Sequence, residues 1–209
     1  MKYSFVTVGI WWILFAQYSF YYLPKGYKKE GKRTNIVLNG FKELQLVWHQ
    51  LGEQVKLKRY LAAFFVYSMA VQTIMLVATY FGIEELDWGE TNATTGLIVS
   101  ILLIQLVAVL GAFLTSRASA KFGNINTLIV LNIIWICICI YAYSITTPVQ
   151  FYVTAGFVGL VMGGIQSLSR STYSKLIPEG ALDTASYFSF YDVAEKIGIV
   201  IGMFSYGFV

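Results

Sequence analysis

The chain has 209 residues, of which 57% are hydrophobic and only 12% are charged, with a formal net charge of +4. A soluble globular domain carries about 25% charged residues, which it needs to keep its surface in contact with water. The composition therefore excludes an ordinary water-soluble domain and predicts an integral membrane protein.

Six apolar segments follow one another along the chain, and each is long enough to cross a bilayer as a helix of about 20 residues. They do not alternate polar and apolar residues, as the strands of an outer-membrane barrel do. In lipid, helices also satisfy their own backbone hydrogen bonds. The sequence thus predicts an all-α, polytopic fold with spans at 3–22, 60–82, 95–114, 125–145, 149–168 and 187–209.

The first segment, within residues 1–22, begins like a secretory signal peptide. Its apolar run of about 20 residues is longer than the roughly 7–15 residues of a signal core, and no small-x-small cleavage site follows it. We therefore predict that residues 1–22 are a retained transmembrane helix.

Residues 23–59 form a loop that holds nine Lys and Arg residues. Apolar residues in its second half recur at spacings of four and three, which indicates one face of a helix. They are Val37, Phe41, Leu44, Trp48, Leu51 and Val55. A basic amphipathic helix beside a membrane span is expected to lie along the lipid headgroups, with His49 at the same interface.

The remaining five spans, within residues 60–209, are joined by loops of two kinds. Every interhelical Lys and Arg lies in the loops 23–59, 115–124 and 169–186, whereas the intervening connections hold none. By the positive-inside rule these three loops are predicted to be cytoplasmic. In the fifth and sixth spans, the pairs Gly159 and Gly163, and Gly198 and Gly202, predict closely packed helices.

Polar residues inside the predicted spans are costly in lipid and therefore informative. Gln72, Gln105 and Asn132 lie near the middles of their spans, where each either binds a solute or joins two helices. The stretch "YDVAEKIG" adds three charged residues near the start of the last span. They are Asp192, Glu195 and Lys196.

Asp192 and Lys196 are four residues apart, so they lie on one helical face and can pair. Such a pair either faces a cavity or belongs to an interfacial cluster whose side chains extend to water. The residues alone leave this choice open.

No catalytic or cofactor constellation is found in the sequence, which has one histidine and no hydrolase, metalloprotease or nucleotide-binding motif. Neither histidine nor carboxylate accompanies Cys137 and Cys139, so we interpret them as buried apolar residues. We expect no enzymatic activity, no metal, no cofactor and no nucleic-acid partner.

Four stretches of the chain resemble the major facilitator superfamily, in the branch of the autophagy-related vacuolar amino-acid effluxer and its bacterial relatives. They are "FFVYSMAVQTIMLVATYFGIEEL", "LLIQLVAVLGAFLTSRASAKFGNINTL", "GGIQSLSRSTYSKLIPEG" and "SFYDVAEKIG". The stretch "WWILFAQYSFYYLP" is similar to the sixth span of that family, before its central cytoplasmic loop. The chain departs from the superfamily pattern at Ser116, Ala120 and Lys121, in a short loop motif, and at Ser68.

The resemblance implies a fold of two six-helix bundles with the substrate site between them near the midplane. This chain would supply spans six to eleven, and its partners would be the bilayer, a small solute and the N-terminal bundle. The implied function is transport of a small polar solute, such as amino acids, by alternating access in a bacterial cytoplasmic membrane. The expected substrate or ion pathway comprises Gln72, Gln105, Asn132, Gln166, Asp192, Glu195 and Lys196, and the expected cytoplasmic gate comprises Arg117, Lys121 and Arg170.

Two alternatives to transport stay open at this point. In the first, a membrane-embedded enzyme uses Arg170, Lys175, Glu179 and Asp183 to act on a lipid headgroup. In the second, the chain is a non-transporting assembly subunit that works only with a partner chain.

Overall fold

The computed structural model describes residues 2–23, 36–89, 92–178 and 184–208. Every regular element in these ranges is a helix, which confirms the all-α prediction. The helices are α1 Lys2–Tyr22, α2 Ile36–Glu53, α3 Val55–Glu84, α4 Ala93–Phe122, α5 Asn124–Ala142, α6 Pro148–Leu176 and α7 Thr184–Tyr206.

The chain divides into two compact units, Met1–Asn39 and Gly40–Val209. In the first unit, aromatic side chains of α1 that are four residues apart contact each other. The ring centroids of Trp11 and Phe15 lie 4.5 Å apart, and those of Tyr18 and Tyr22 lie 4.9 Å apart. The second unit contains the helices that build the candidate site.

Four of the described helices, α3, α4, α5 and α6, are long and apolar enough to cross a membrane. The other two predicted spans correspond to α1, with 21 residues, and α7, with 23 residues. In α7, Asp192, Glu195 and Lys196 lie so close to the middle that every 18-residue stretch of the helix holds three charged residues. Membrane crossing by α1 and α7 stays a prediction.

Local sequence signals fix several helix ends. The side chain of Asn92 accepts a hydrogen bond from the backbone N–H of Thr94 and caps α4. Thr147 and Gln150 form a capping box at the start of α6. Between α4 and α5 stands one non-helical residue, Gly123, whose φ of 85° favours glycine.

Glycines bring α4 and α6 into backbone contact. A Cβ atom on Gly159 would overlap the carbonyl of Ile104, and one on Gly163 would overlap the carbonyl of Ala108. Gly111 of α4 faces the backbone of Leu160 in the same way. The predicted close packing of the fifth span is therefore confirmed.

A cluster of buried side chains joins α2 to α3, α6 and α7, and we call it the α2 cluster. It comprises Val47, Leu51, Leu57, Leu61, Phe64, Tyr173, Tyr187 and Tyr191. Tyr173 lies at its centre with no exposed surface, and its hydroxyl donates a hydrogen bond of 2.8 Å to the carbonyl of Tyr187.

The amphipathic helix predicted for residues 37–55 is present as α2, and the placement of its apolar face along the headgroups stays a prediction. Val47 and Leu51 are buried in the α2 cluster, while Phe41 and Trp48 are 71% and 68% exposed. Val55 belongs to α3, because the helix breaks at Gln54. The side of α2 that is buried in the protein, at Val47 and Leu51, therefore coincides only partly with the predicted apolar face. The side chain of Val37 lies outside the described residues.

The interpretation of Cys137 as a buried residue is wrong, since its side chain is exposed on α5, and Cys139 is half-buried. Lipid is as apolar as the interior of a protein, so a small apolar side chain of a membrane helix is equally suited to either environment. Apolar character alone therefore does not indicate an interior position.

Candidate functional site

A polar cavity of about 260 Å³ lies between α3, α6 and α7. It is lined by Phe64, Tyr67, Ser68, Val71 and Gln72 of α3, by Met162, Ile165, Gln166, Ser169 and Arg170 of α6, and by Tyr191, Glu195 and Lys196 of α7. The cavity therefore collects amide, hydroxyl and charged groups in a bundle whose other surfaces are mostly apolar. We refer to it as the polar cavity.

A hydrogen bond between Gln72 and Glu195 crosses one side of this cavity. The Nε2 atom of Gln72 lies 2.9 Å from Oε1 of Glu195, and both side chains are half-buried. The helices can approach because Gly202 of α7 faces Thr73 of α3, where a Cβ atom would overlap the threonine hydroxyl. A carboxylate placed among apolar helices requires such a donor, since it has lost water as a partner.

A second polar contact joins α6 to α7 beside the cavity. One guanidinium nitrogen of Arg170, Nη2, lies 3.1 Å from Oδ1 and 3.2 Å from Oδ2 of Asp192. The side chains are 57% and 47% exposed, and the guanidinium carbon lies 5.7 Å from the centroid of the Phe188 ring. Because both groups are exposed to water, the ion pair contributes about 0–1 kcal/mol to the stability of the fold and can open easily.

Lys196 is not the partner of Asp192, although the four-residue spacing allows that pair. In the structure Asp192 faces α6 and meets Arg170. Lys196 is exposed at the rim of the polar cavity, and within the described ranges it forms no ion pair.

A hydroxyl network, two members of which line the cavity, was not predicted from the sequence. The hydroxyl of Tyr67 and Oγ of Ser169 lie 2.7 Å apart, and the Tyr60 hydroxyl donates to the backbone carbonyl of Ser169 at 2.8 Å. Tyr60 and Tyr67 are seven residues apart, a spacing that places them on one face of α3. That spacing was the available signal, but nothing in the sequence pointed to Ser169 as the partner.

Four of the residues predicted for the pathway or the gate lie away from the polar cavity. Gln105 is exposed on α4, and the Asn132 amide donates to the carbonyl of Leu128 in its own helix. Arg117 lies over the Phe113 ring at 4.1 Å, and Lys121 over the Phe122 ring at 5.4 Å. The structure does not bring these four to the others, and their roles stay predictions.

A larger cavity of about 620 Å³ lies between α3, α4, α5 and α6 but is almost wholly apolar. Three of its hydroxyl groups bond within their own helices: Thr73 donates to the carbonyl of Met69, Ser100 to that of Gly96, and Thr154 to that of Gln150. An almost wholly apolar lining offers few groups that could orient a polar solute. The smaller polar cavity is therefore the better candidate site.

Residues proposed for an enzyme on lipid headgroups do not assemble in the described structure. Glu179 and Asp183 lie outside the described residues, Arg170 bonds Asp192, and the Lys175 ammonium donates to Asn124 at 3.3 Å. Among the described residues, no three His, Cys, Asp or Glu side chains are grouped so that they could hold a metal ion.

Comparison with known proteins identifies relatives over the whole chain. A family model described as "Vacuole effluxer Atg22 like" matches residues 1–209. The uncharacterized MFS-type transporter YxiO of Bacillus subtilis is 29% identical over 199 residues, which cover 95% of this chain and 45% of that protein. Autophagy-related protein 22 of Eremothecium gossypii is 25% identical over 227 residues, which cover 100% of this chain and 44% of that protein.

The chain thus spans less than half the length of the curated relatives that it matches. No solved structure gives a significant match.

Proposed function

Because the chain belongs to the family of Atg22-like vacuole effluxers, we propose that it forms one wall of the solute pathway in a major facilitator transporter. The polar cavity is the part of that pathway which this chain contributes. The transported solute is small and polar, with amino acids as the leading class, and the mechanism is alternating access between two bundles.

The polar cavity is the observation that supports this proposal most directly. Polar and ionisable side chains inside a membrane protein cost free energy and often mark routes for solutes or ions. Here Gln72, Gln166, Glu195 and Lys196 all line one cavity, although they come from three different helices. A purely structural helix contact has no need to leave an open space beside its polar groups.

The charges of the cavity fit a zwitterion. Asp192 is neutralised by Arg170, which leaves the carboxylate of Glu195 and the ammonium of Lys196 facing the cavity. Neighbouring residues of a helix do not face each other, so these two groups cannot neutralise one another fully. An amino acid offers one ammonium group and one carboxylate, and it matches this arrangement.

The Arg170–Asp192 pair supports a gating role at the rim of the cavity. It connects α6 to α7 while both groups remain accessible to water. Since such a pair contributes at most about 1 kcal/mol, it can form in one state of the transporter and open in another.

For the cellular location we propose a bacterial cytoplasmic membrane, with the loops 23–59, 115–124 and 169–186 on the cytoplasmic side. The distribution of Lys and Arg among the loops supports this orientation. The relatives include a bacterial protein and fungal proteins, so members of the family occur in more than one kind of cell.

Transport by the full-length protein that carries this chain tests the proposal. The protein is reconstituted in liposomes loaded with unlabelled amino acids, and counterflow of a mixture of all twenty ¹⁴C-labelled amino acids is measured. We expect exchange above that of empty liposomes, and a loss of about tenfold in Lys196→Ala, because a charge-assisted contact to the solute is removed.

The matched control is Lys175→Ala, which removes a lysine of α6 that bonds Asn124 instead of facing the cavity. Exchange in this control should stay near the wild-type rate. An equal loss in both variants would remove Lys196 from the pathway, and absence of exchange for every amino acid would contradict the proposed solute class.

A further inference from the structure

The outer flank of α2 carries exposed aromatic side chains that the solute pathway does not use. Phe41 and Trp48 are 71% and 68% exposed, and they are seven residues apart, which places them on one helical face. Aromatic rings are favoured where one end is in an apolar region and the other in water, so this flank is suited to a membrane interface.

The contacts of α2 with α7 fix where this flank lies. Val47 and Leu51 are buried in the α2 cluster, and the Tyr187 hydroxyl donates to Oε1 of Gln50 at 2.9 Å. The Trp48 ring lies 6.0 Å from the Phe190 ring of α7. One side of α2 therefore packs against α3 and α7, and the aromatic flank lies next to that side.

The next helix places this flank at a membrane surface. α2 ends at Glu53 and α3 begins at Val55, and α3 is long and apolar enough to cross a membrane. The end of a membrane-crossing helix lies at the headgroup level, so α2 lies there too. Aromatic residues are enriched at that level because their rings enter the apolar region and their polar atoms stay at the water side.

The charge at the corner formed by α2 and the first turns of α3 indicates which type of membrane surface binds there. Four basic side chains around it are exposed, namely Lys42, Lys56, Lys58 and Arg59. Of the acidic side chains, that of Glu43 already accepts a hydrogen bond from Ser186 at 3.4 Å. Each basic residue near an anionic lipid surface contributes about 1 kcal/mol of attraction.

We propose that the corner formed by α2 and the first turns of α3 is a binding surface for anionic lipid headgroups, and that this lipid holds α2 against α7. The aromatic flank enters the interface while the basic side chains bind phosphate groups. This inference rests on α2 and its neighbours and does not depend on the transported solute.

The binding surface has a structural connection to the polar cavity. Phe64 and Tyr191 belong to the α2 cluster and also line the cavity, with stacked rings 4.0 Å apart. Lipid that holds α2 in place therefore also restrains one wall of the cavity.

Hydrogen exchange of the full chain in nanodiscs tests the proposal. One set of nanodiscs contains phosphatidylcholine alone, and the other contains about one third phosphatidylglycerol, an anionic lipid. We expect the amides of residues 40–53 and 184–190 to exchange at least about threefold more slowly in the anionic membrane. The double variant Lys56→Gln/Lys58→Gln should lose most of this difference, because each lost charge weakens lipid binding about fivefold.

The matched control is Arg117→Gln/Lys121→Gln, which also removes two basic residues but from the end of α4. It should keep the wild-type difference between the two membranes. Equal exchange of the wild-type protein in both membranes would overturn the proposal. If both double variants lost the exchange difference equally, the proposal would be overturned as well. Such a result would show that the protein is attracted to anionic lipid by its overall positive charge and not by a site at α2.

Discussion

The α4–α6 interface and the α3–α7 interface join helices in different ways. Between α4 and α6, the glycines 111, 159 and 163 bring backbone onto backbone, so no side chain larger than a hydrogen atom fits at these points. Between α3 and α7 a side-chain amide meets a carboxylate beside an open cavity. The first contact suits a rigid frame, and the second suits a surface whose polar groups exchange partners in the proposed transport cycle.

The largest effect is expected from Gly163→Ala in the rigid interface. The added Cβ atom meets the backbone carbonyl of Ala108, which cannot move aside as a side chain could, so overpacking should cost about 1–3 kcal/mol. Thermal unfolding of the detergent-solubilised protein measures this loss.

Gly156→Ala, on the same helix, is the control, because nothing lies within 4 Å of the position of its Cβ atom. It should be neutral or slightly stabilising. Equal destabilisation by both changes would mean that α4 and α6 are not in backbone contact.

The next effect concerns Gln72→Leu in the polar interface. The change removes the donor to Glu195 and leaves a half-buried carboxylate without its partner, which should lower amino-acid exchange about tenfold. The comparison variant is Gln105→Leu, which removes an exposed amide away from the cavity and should leave exchange nearly unchanged. A loss in Gln105→Leu as large as that in Gln72→Leu would restore Gln105 to the pathway and weaken the case for the polar cavity.

A smaller change is expected for Tyr67→Phe. It removes the 2.7 Å hydrogen bond to Ser169 and should lower the free energy of unfolding by about 1 kcal/mol. Tyr80→Phe, which alters an exposed tyrosine of the same helix, should change it by much less. Chemical denaturation in mixed micelles can compare the two variants, and identical values would argue against the hydroxyl network.

The smallest effect on stability is expected at the exposed ion pair. Arg170→Gln and Asp192→Asn should each destabilise the protein by less than about 1 kcal/mol, with a coupling energy in the double-mutant cycle of the same size. Exchange should nevertheless fall in both single variants if the pair is a gate. Restored exchange in the swap Arg170→Asp/Asp192→Arg would support gating, whereas unchanged exchange in the single variants would exclude it.

The sequence predicted the helical fold well because long apolar runs have few alternatives in lipid. It also predicted Gln72, Gln166, Glu195 and Lys196 as pathway residues, and the structure brings these four to one cavity. Polar residues in apolar runs are conspicuous, so they can be found without knowledge of the packing.

The rotation of each helix was much harder to predict. Gln105 is as conspicuous in its span as Gln72, yet it lies on the exposed side of α4. A helix that is apolar all round does not reveal which side faces protein and which faces lipid, since lipid is as apolar as a protein core. The Arg170–Asp192 pair was missed for a related reason: its partners lie on two helices, and the sequence favoured the local pair with Lys196.

The bond between Gln72 and Glu195 also has a consequence for biosynthesis. The two residues are 123 positions apart along the chain. Translation at about 5–20 residues per second delivers Glu195 roughly 6–25 s after Gln72. The Gln72 amide therefore enters the membrane well before its partner has been made, and a temporary companion such as water or the insertion machinery has to satisfy it. Assembly of the polar cavity is then a late event, completed only when α7 arrives.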